Sequence, residues 1–164
     1  MNRDISLSQN GYLSQRRTQE QSFVTMRVNG QLFGASVYAV QDILRRQTVT
    51  RIPLSSPIVE GALNLRGRIV TAINMHRRLD MLNATIVESP MHVVLDYKGE
   101  LYSLMVDSVG DVLSLPLEHI DKAPVNLPYS WQEITAGVYR LQNELLVLFD
   151  IQALLEFQPA VLES

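Results

Sequence analysis

Gly61-Ala62-Leu63-Asn64-Leu65-Arg66-Gly67-Arg68-Ile69-Val70-Thr71-Ala72-Ile73-Asn74-Met75 reads as strand, turn, strand and helix cap, and residues 137–151 repeat that reading. One offset carries Gly61 onto Gly137, Asn74 onto Asp150 and Leu79 onto Leu155. Upstream, Val-Asn-Gly-Gln-Leu-Phe at 28–33 answers Tyr-Lys-Gly-Glu-Leu-Tyr at 97–102, and Ile52-Pro53-Leu54 answers Leu115-Pro116-Leu117. Three blocks recurring in one order make a degenerate tandem repeat of roughly seventy residues, two similar small β units in one chain. Function is therefore to be sought in how the units are arranged, and in what one copy has that the other lacks.

Working outward, Asn29-Gly30 and Lys98-Gly99 stand between alternating apolar segments and predict two β-hairpins, because both central residues of that turn need positive φ. Tyr38–Leu44 puts Val40, Ile43 and Leu44 on one side of a short helix, and a strand-like Gln47–Ile52 follows, stopped by Pro53. Ser56-Pro57 reads as an N-cap and first helical position, opening a single turn that Gly61 closes. Ala62–Leu65 and Arg68–Ile73 pair around Arg66-Gly67, and Asn74 caps a short helix containing Leu79. The second half gives a hairpin of Met91–Tyr97 and Glu100–Val106, a strand at Val109–Leu115 and a proline-rich loop over 116–131. A second pair follows at Ile134–Leu141 and Leu145–Phe149, and Asp150 caps the helix Ile151–Phe157. Many short strands at close spacing predict small barrels rather than a parallel sheet. Residues 1–21 are polar and aperiodic and read as a tail.

Composition narrows the chemistry. The 164 residues are 46% hydrophobic and include no cysteine, which excludes disulfides, thiolate nucleophiles and thiolate metal sites. No apolar run approaches the ~20 residues of a membrane span and no signal-peptide core is present, so a cytoplasmic protein without direct membrane insertion is expected. His76, His92 and His119 lie in separate segments without ligand spacing and read as isolated surface or edge positions. There is no Gly-rich phosphate loop and no nucleophile elbow. No metal, cofactor or catalytic constellation is expected. The net charge of −3 hides a polarised chain: eight arginines against two carboxylates over 27–78, then twelve carboxylates against three cations from Glu88 onward. Nucleic acid is an unsuitable partner for an acidic chain with 7% aromatics and no stacking rings among its arginines.

Val40-Gln41-Asp42-Ile43, Val49-Thr50-Arg51-Ile52-Pro53 and Ile58-Val59-Glu60-Gly61-Ala62-Leu63-Asn64-Leu65-Arg66-Gly67-Arg68-Ile69-Val70 resemble the CheW family of bacterial chemotaxis coupling proteins. The resemblance runs from about Phe23 to Phe157 and includes Val106–Leu113 and Leu145–Asp150. It departs at Thr71, where the family often has proline, at Asn74, where it often has aspartate, and at Asp42, a shorter acid than the family's glutamate. The resemblance implies a mainly β protein: two five-stranded SH3-like barrels packed on a shared hydrophobic core, with short helices. The corresponding boundaries are a single domain over 22–160, barrel subdomains over about 22–88 and 89–150, and a closing helix over 151–157. It further implies a non-enzymatic adaptor joining the cytoplasmic tip of chemoreceptors to the regulatory domain of the histidine kinase CheA, recruited to membrane-associated receptor arrays, with other modules of the same fold as further partners. A receptor groove would use Val40, Asp42, Ile43, Gly61, Asn64, Arg66 and Gly67; the kinase-facing residues are unassigned. Asp42 is expected to pair with Arg66, by opposite charge and family proximity. Gly61, recurring at Gly137, is expected to serve backbone geometry. An SH3-like peptide- or ligand-binding module unconnected to chemotaxis is the alternative from a different class, and a pull-down with receptor tip and kinase domain separates the two.

Overall fold

Two five-stranded sheets carry the fold, and each takes strands from both copies of the repeat. The computed structural model describes residues 19–81 and 87–157. In chain order the strands are β1 (Glu20–Val28), β2 (Gln31–Ser36), β3 (Val40–Leu44), β4 (Val59–Leu65), β5 (Arg68–Asn74), β6 (Met91–Tyr97), β7 (Glu100–Val106), β8 (Ser108–Pro116), β9 (Thr135–Arg140) and β10 (Leu145–Phe149). The helices are single turns: α1 (Met75–Arg78), α2 (Tyr129–Gln132) and α3 (Ile151–Leu155).

One sheet runs β8-β1-β2-β10-β9 and the other β3-β6-β7-β5-β4. The orders match position for position under the repeat, and each contains one parallel contact, β2 with β10 and β5 with β7. The first hairpin therefore pairs with the last three strands and the second hairpin with the middle three. We call the barrel made by the chain's ends the terminal barrel and the one made by residues 40–106 the central barrel. This corrects the expected boundary at 88/89: a cut there divides both sheets, because each hairpin completes the other copy's barrel.

Alternation along the strands explains their near-continuous apolar runs. Phe23, Leu32, Leu146 and Leu148 fill the interior of the terminal barrel, while their neighbours Val24, Phe33, Val147 and Phe149 face the other barrel. Leu63, Val70, Ala72, Val94 and Leu101 fill the central barrel. Between the barrels lies one shared core, where Met26, Phe33, Ile73, Met75, Leu95 and Leu104 are fully buried and the Phe33 ring stacks on Phe149 with centroids 5.0 Å apart. Strands buried on both faces lose the polar half of the usual β alternation.

Several local expectations change. Tyr38–Leu44 is not a helix: Val40–Leu44 forms β3, paired antiparallel with β6, where its β-branched residues suit a pleated surface. Gln47–Ile52 contracts to a single bridge, Thr50 with Ala62. Ser56-Pro57 opens a turn leading directly into β4, with the Ser56 carbonyl accepting from the Val59 N–H at 2.9 Å, and Gly61 lies within that strand. Residues 1–18 of the expected tail lie outside the described residues, but Glu20 and Gln21 belong to β1, opposite Pro116 and Leu115. The closing helix ends at Leu155, and 158–160 lie outside the described residues. The caps are as read: the Asn74 side chain accepts from the Arg77 N–H, so asparagine serves in place of aspartate, and Asp150 accepts from the Ala153 N–H.

Candidate functional site

The β4–β5 turn is tight because Arg66 and Gly67 both adopt left-handed backbone, φ 51° and 85°. The Asn64 Oδ1 accepts from the Gly67 N–H at 2.8 Å and closes the loop. An arginine at φ > 0 is a costly choice that this side-chain bond holds in place. The turn projects the Arg66 guanidinium toward β3, where Nη2 donates to Asp42 Oδ2 at 3.2 Å. The pair expected from charge is thus formed. Asp42 is the better anchored partner: its side chain is 26% exposed against 79% for Arg66, and its Oδ1 accepts from the Ile43 N–H. A pair this open contributes little to stability. It turns a solvent-facing guanidinium toward β3.

Gln41, Leu65, Arg68 and Leu101 complete a shallow depression of about 90 Å³ around Asp42 and Arg66. Of the other expected groove residues, Ile43 is 39% exposed on β3, whereas Val40 is half-buried against the shared core. Gly61 sits elsewhere along β4 and is there for close approach: a Cβ would lie 2.2 Å from the Thr50 carbonyl oxygen. That carbonyl accepts from Ala62 at 2.8 Å, in the bridge that ties the chain after β3 to β4 and so joins the two outer strands of the sheet. Gly137 holds the corresponding place in the terminal barrel, beside Ile120 and the Asp121 carbonyl, next to the bridge from Asp121 to Val138, with a side chain rather than backbone as its nearest neighbour. Of the seven residues, Asp42 and Arg66 line this depression, Asn64 and Gly67 shape the turn beside it, and Val40, Ile43 and Gly61 lie outside its lining.

Sequence reading missed the polar ties between barrels. Asp107 is the one residue between β7 and β8, where the chain crosses from the central to the terminal barrel. Its Oδ2 accepts from the Asn29 N–H at 2.7 Å, and Oδ1 lies 2.9 Å from His76 Nε2 on α1, without the alignment of a regular hydrogen bond. Arg78 donates from Nε and Nη2 to the carbonyls of Leu154 and Ala153, 3.0 Å each, joining α1 to α3, and burial lowers its pKa. The histidines correct a second expectation. His92 is only 1% exposed, inside the central barrel, with Nδ1 2.9 Å from Ser103 Oγ; burial lowers its pKa. The repeat could have flagged it, since His92 stands where the other copy has buried Phe23. His76 is half-buried, and His119 is exposed.

Paired barrels, each closed by the same glycine-dependent bridge and one carrying an ordered arginine turn, define a two-barrel β module. The chain belongs to the CheW-like domain family, whose model matches residues 22–158. It is 30% identical to the chemotaxis protein CheW of Klebsiella aerogenes over 87% of this chain and 86% of that protein. It is 28% identical to the chemotaxis protein CheW of Bacillus subtilis over 85% and 89%. The crystal structure of the scaffolding protein TtCheW from Thermoanaerobacter tengcongensis superposes with a TM-score of 0.77 at 19% identity, covering 87% of this chain and 94% of that one. The structural likeness establishes the fold: mainly β, two five-stranded SH3-like barrels on a shared core. Among the described residues no group of His, Asp and Glu could hold a metal ion, and no helix is long and apolar enough to cross a membrane.

Proposed function

We propose that this chain is a non-enzymatic chemotaxis scaffold that couples chemoreceptors to the histidine kinase CheA. The observation that carries the reading is the family match across both barrels, residues 22–158, joined to relatives whose names state chemotaxis. The finer assignment follows from the site. Arg66, bonded to Asp42, contacts the receptor's cytoplasmic tip, with Ile43 of the same strand as Asp42 a further contact; Val40, Gly61, Asn64 and Gly67 hold the shape that presents it. The regulatory domain of CheA and other modules of this fold dock elsewhere on the barrels, and the protein works in the cytoplasm at membrane-associated receptor arrays.

In support of Arg66, the second copy of the turn has Gln142 at this position, so the fold does not require arginine there. The test titrates labelled receptor tip and kinase regulatory domain against Arg66→Glu and against Arg51→Glu, an exposed arginine with no ion pair among the described residues. Losing one member of a desolvated interfacial charge pair costs about 2–5 kcal/mol, roughly 30-fold or more in affinity. Arg66→Glu is expected to lose at least that for the receptor tip while keeping kinase binding. The difference from Arg51→Glu should persist at high salt, where long-range steering is screened. Equal losses from both substitutions refute the assignment.

A further inference from the structure

The repeat makes each barrel a template for the other, and one pocket exists in two copies of unequal content. The offset that carries Asn29-Gly30 onto Lys98-Gly99 also carries Gln41 onto Gly110, Asp42 onto Asp111 and Leu32 onto Leu101. Gln41, Asp42 and Leu101 line the depression beside Arg66. Gly110, Asp111 and Leu32, with Thr25, Arg27 and Leu113, line a depression of about 210 Å³ in the terminal barrel. Even the backbone irregularity is shared. The β3–β6 register shifts between Val40 and Asp42, and the β1–β8 register shifts opposite Thr25, so each outer strand carries an extra residue immediately before its aspartate. A bulge of this kind re-aims the side chain that follows it.

The copies differ in what the carboxylate holds. Asp42 binds Arg66. In the terminal barrel Gln142 takes the place of Arg66, and neither it nor Asn143 adopts left-handed backbone, so the turn opens, with the Leu141 N–H donating to the Glu144 carbonyl at 2.9 Å. Glu144 stands in place of Arg68 and is taken up by Arg27 in a two-pronged pair at 2.8 and 2.9 Å, which holds the Glu144 carboxyl below its ordinary pKa. Asp111 is exposed and has no side-chain hydrogen bond or ion pair among the described residues. Its backbone is nonetheless fixed, since Thr25 Oγ1 donates to the Asp111 carbonyl at 2.6 Å. The pocket is more than twice the volume of its counterpart, and Arg27, which also lines it, is turned to Glu144.

We infer that the Asp111 pocket is a second binding site, which takes the guanidinium of an arginine presented by a protein partner. The central barrel shows the pairing in cis: the equivalent aspartate, Asp42, accepts from the Arg66 guanidinium at the edge of its depression. A planar fork suits a carboxylate flanked by apolar walls, and Leu32 and Leu113 offer those walls to its stem. Among the lining residues Asp111 is the carboxylate, and the lining cation, Arg27, is already taken by Glu144, which leaves the Asp111 charge uncompensated there. The site lies on the other barrel from Arg66 and stands or falls independently of the receptor contact.

The experiment is an amide-resolved NMR titration of the full chain with N-acetyl-arginine amide, with the uncharged isostere N-acetyl-citrulline amide as control. The arginine probe is expected to shift the amides of Thr25 and Gly110–Leu113 saturably, at roughly millimolar concentration. The citrulline probe should shift them at least about tenfold less, and Asp111→Asn should remove the response. Asp121→Asn, which deletes another carboxylate of the same barrel, should leave it intact. Equal response to citrulline, equal loss from Asp121→Asn, a response surviving Asp111→Asn, or shifts spread over all surface carboxylates each overturn the site.

Discussion

Replacing Gly61 and Gly137 by alanine, one at a time, tests the claim that each barrel is closed by a glycine-dependent bridge, because the same chemical change meets different obstacles. At Gly61 the new Cβ lies 2.2 Å from the Thr50 oxygen, 2.8 Å from its carbonyl carbon and 2.9 Å from a Val49 methyl. The first two are backbone atoms, so relief requires moving the strand segment that makes both Thr50–Ala62 hydrogen bonds, 2.8 Å each. Losing two such bonds costs about 1 kcal/mol each, and overpacking adds about 1–3 kcal/mol. A total of about 3–5 kcal/mol lowers the melting temperature by roughly 9–15 °C in a chain of this size. At Gly137 the nearest atom, 2.7 Å away, is the Cγ2 methyl of Ile120, whose displacement does not require breaking the backbone bridge, and the Asp121 oxygen is 3.0 Å away. About 1–2 kcal/mol, or roughly 3–6 °C, is expected. Scanning calorimetry of the two variants against wild type decides it. A Gly137→Ala loss equal to or larger than that of Gly61→Ala refutes the reasoning, as does Gly61→Ala melting within 1 °C of wild type.

Other outcomes follow from the same geometry. Fragments 1–88 and 89–164 should each fail to fold, since each holds two strands of one sheet and three of the other, and mixing them should restore a cooperative melt; a cooperative transition in either fragment alone counts against the interleaving. Removing residues 1–21 should destabilise the protein more than removing 1–18, because the longer cut deletes the Gln19 carbonyl that accepts from the Leu117 N–H at 2.9 Å and the Glu20 and Gln21 pairings of β1; equal melting temperatures would contradict this. The buried, neutral His92 has a folded pKa below its unfolded value near 6.5, so its contribution is complete above that pH and is lost as pH falls through 6.5 toward the folded value. Urea unfolding from pH 7.5 to 5 should show that slope, and His92→Gln should flatten it; an unchanged slope assigns the loss to other groups.

The repeat, the hairpin turns and both aspartate or asparagine caps were legible in the sequence because each rests on local pattern: a recurring block, a turn dipeptide, a cap three residues from its donor. The Asp42–Arg66 pair, 24 residues apart, came from opposite charge and the family resemblance. What sequence could not supply was the choice of partner among similar strands. The hairpins 20–36 and 91–106 are alike in apolar pattern, and nothing local states that β2 lies beside β10 rather than β5. Tyr38–Leu44 was misread because over seven residues the helical and extended patterns both place Val40 and Leu44 on a buried side, and only β6 alongside settles it. The Asp111 pocket was illegible for a related reason. It appears only once the two barrels are superposed and one is found to lack an arginine.

The chain passes between the barrels twice, over Val37–Ala39 and at Asp107, and both passages are tied to β1, through Val37 to the Ser22 carbonyl and through Asp107 to the Arg27 carbonyl. A body joined at one point can swivel; one joined at two separated points keeps only a single axis of rotation. The shared core and the Arg78 bonds to α3 oppose rotation about that axis as well. The protein is thereby a stiff spacer, and a load applied at one barrel arrives at the other as displacement of the whole body, with spacing and angle preserved.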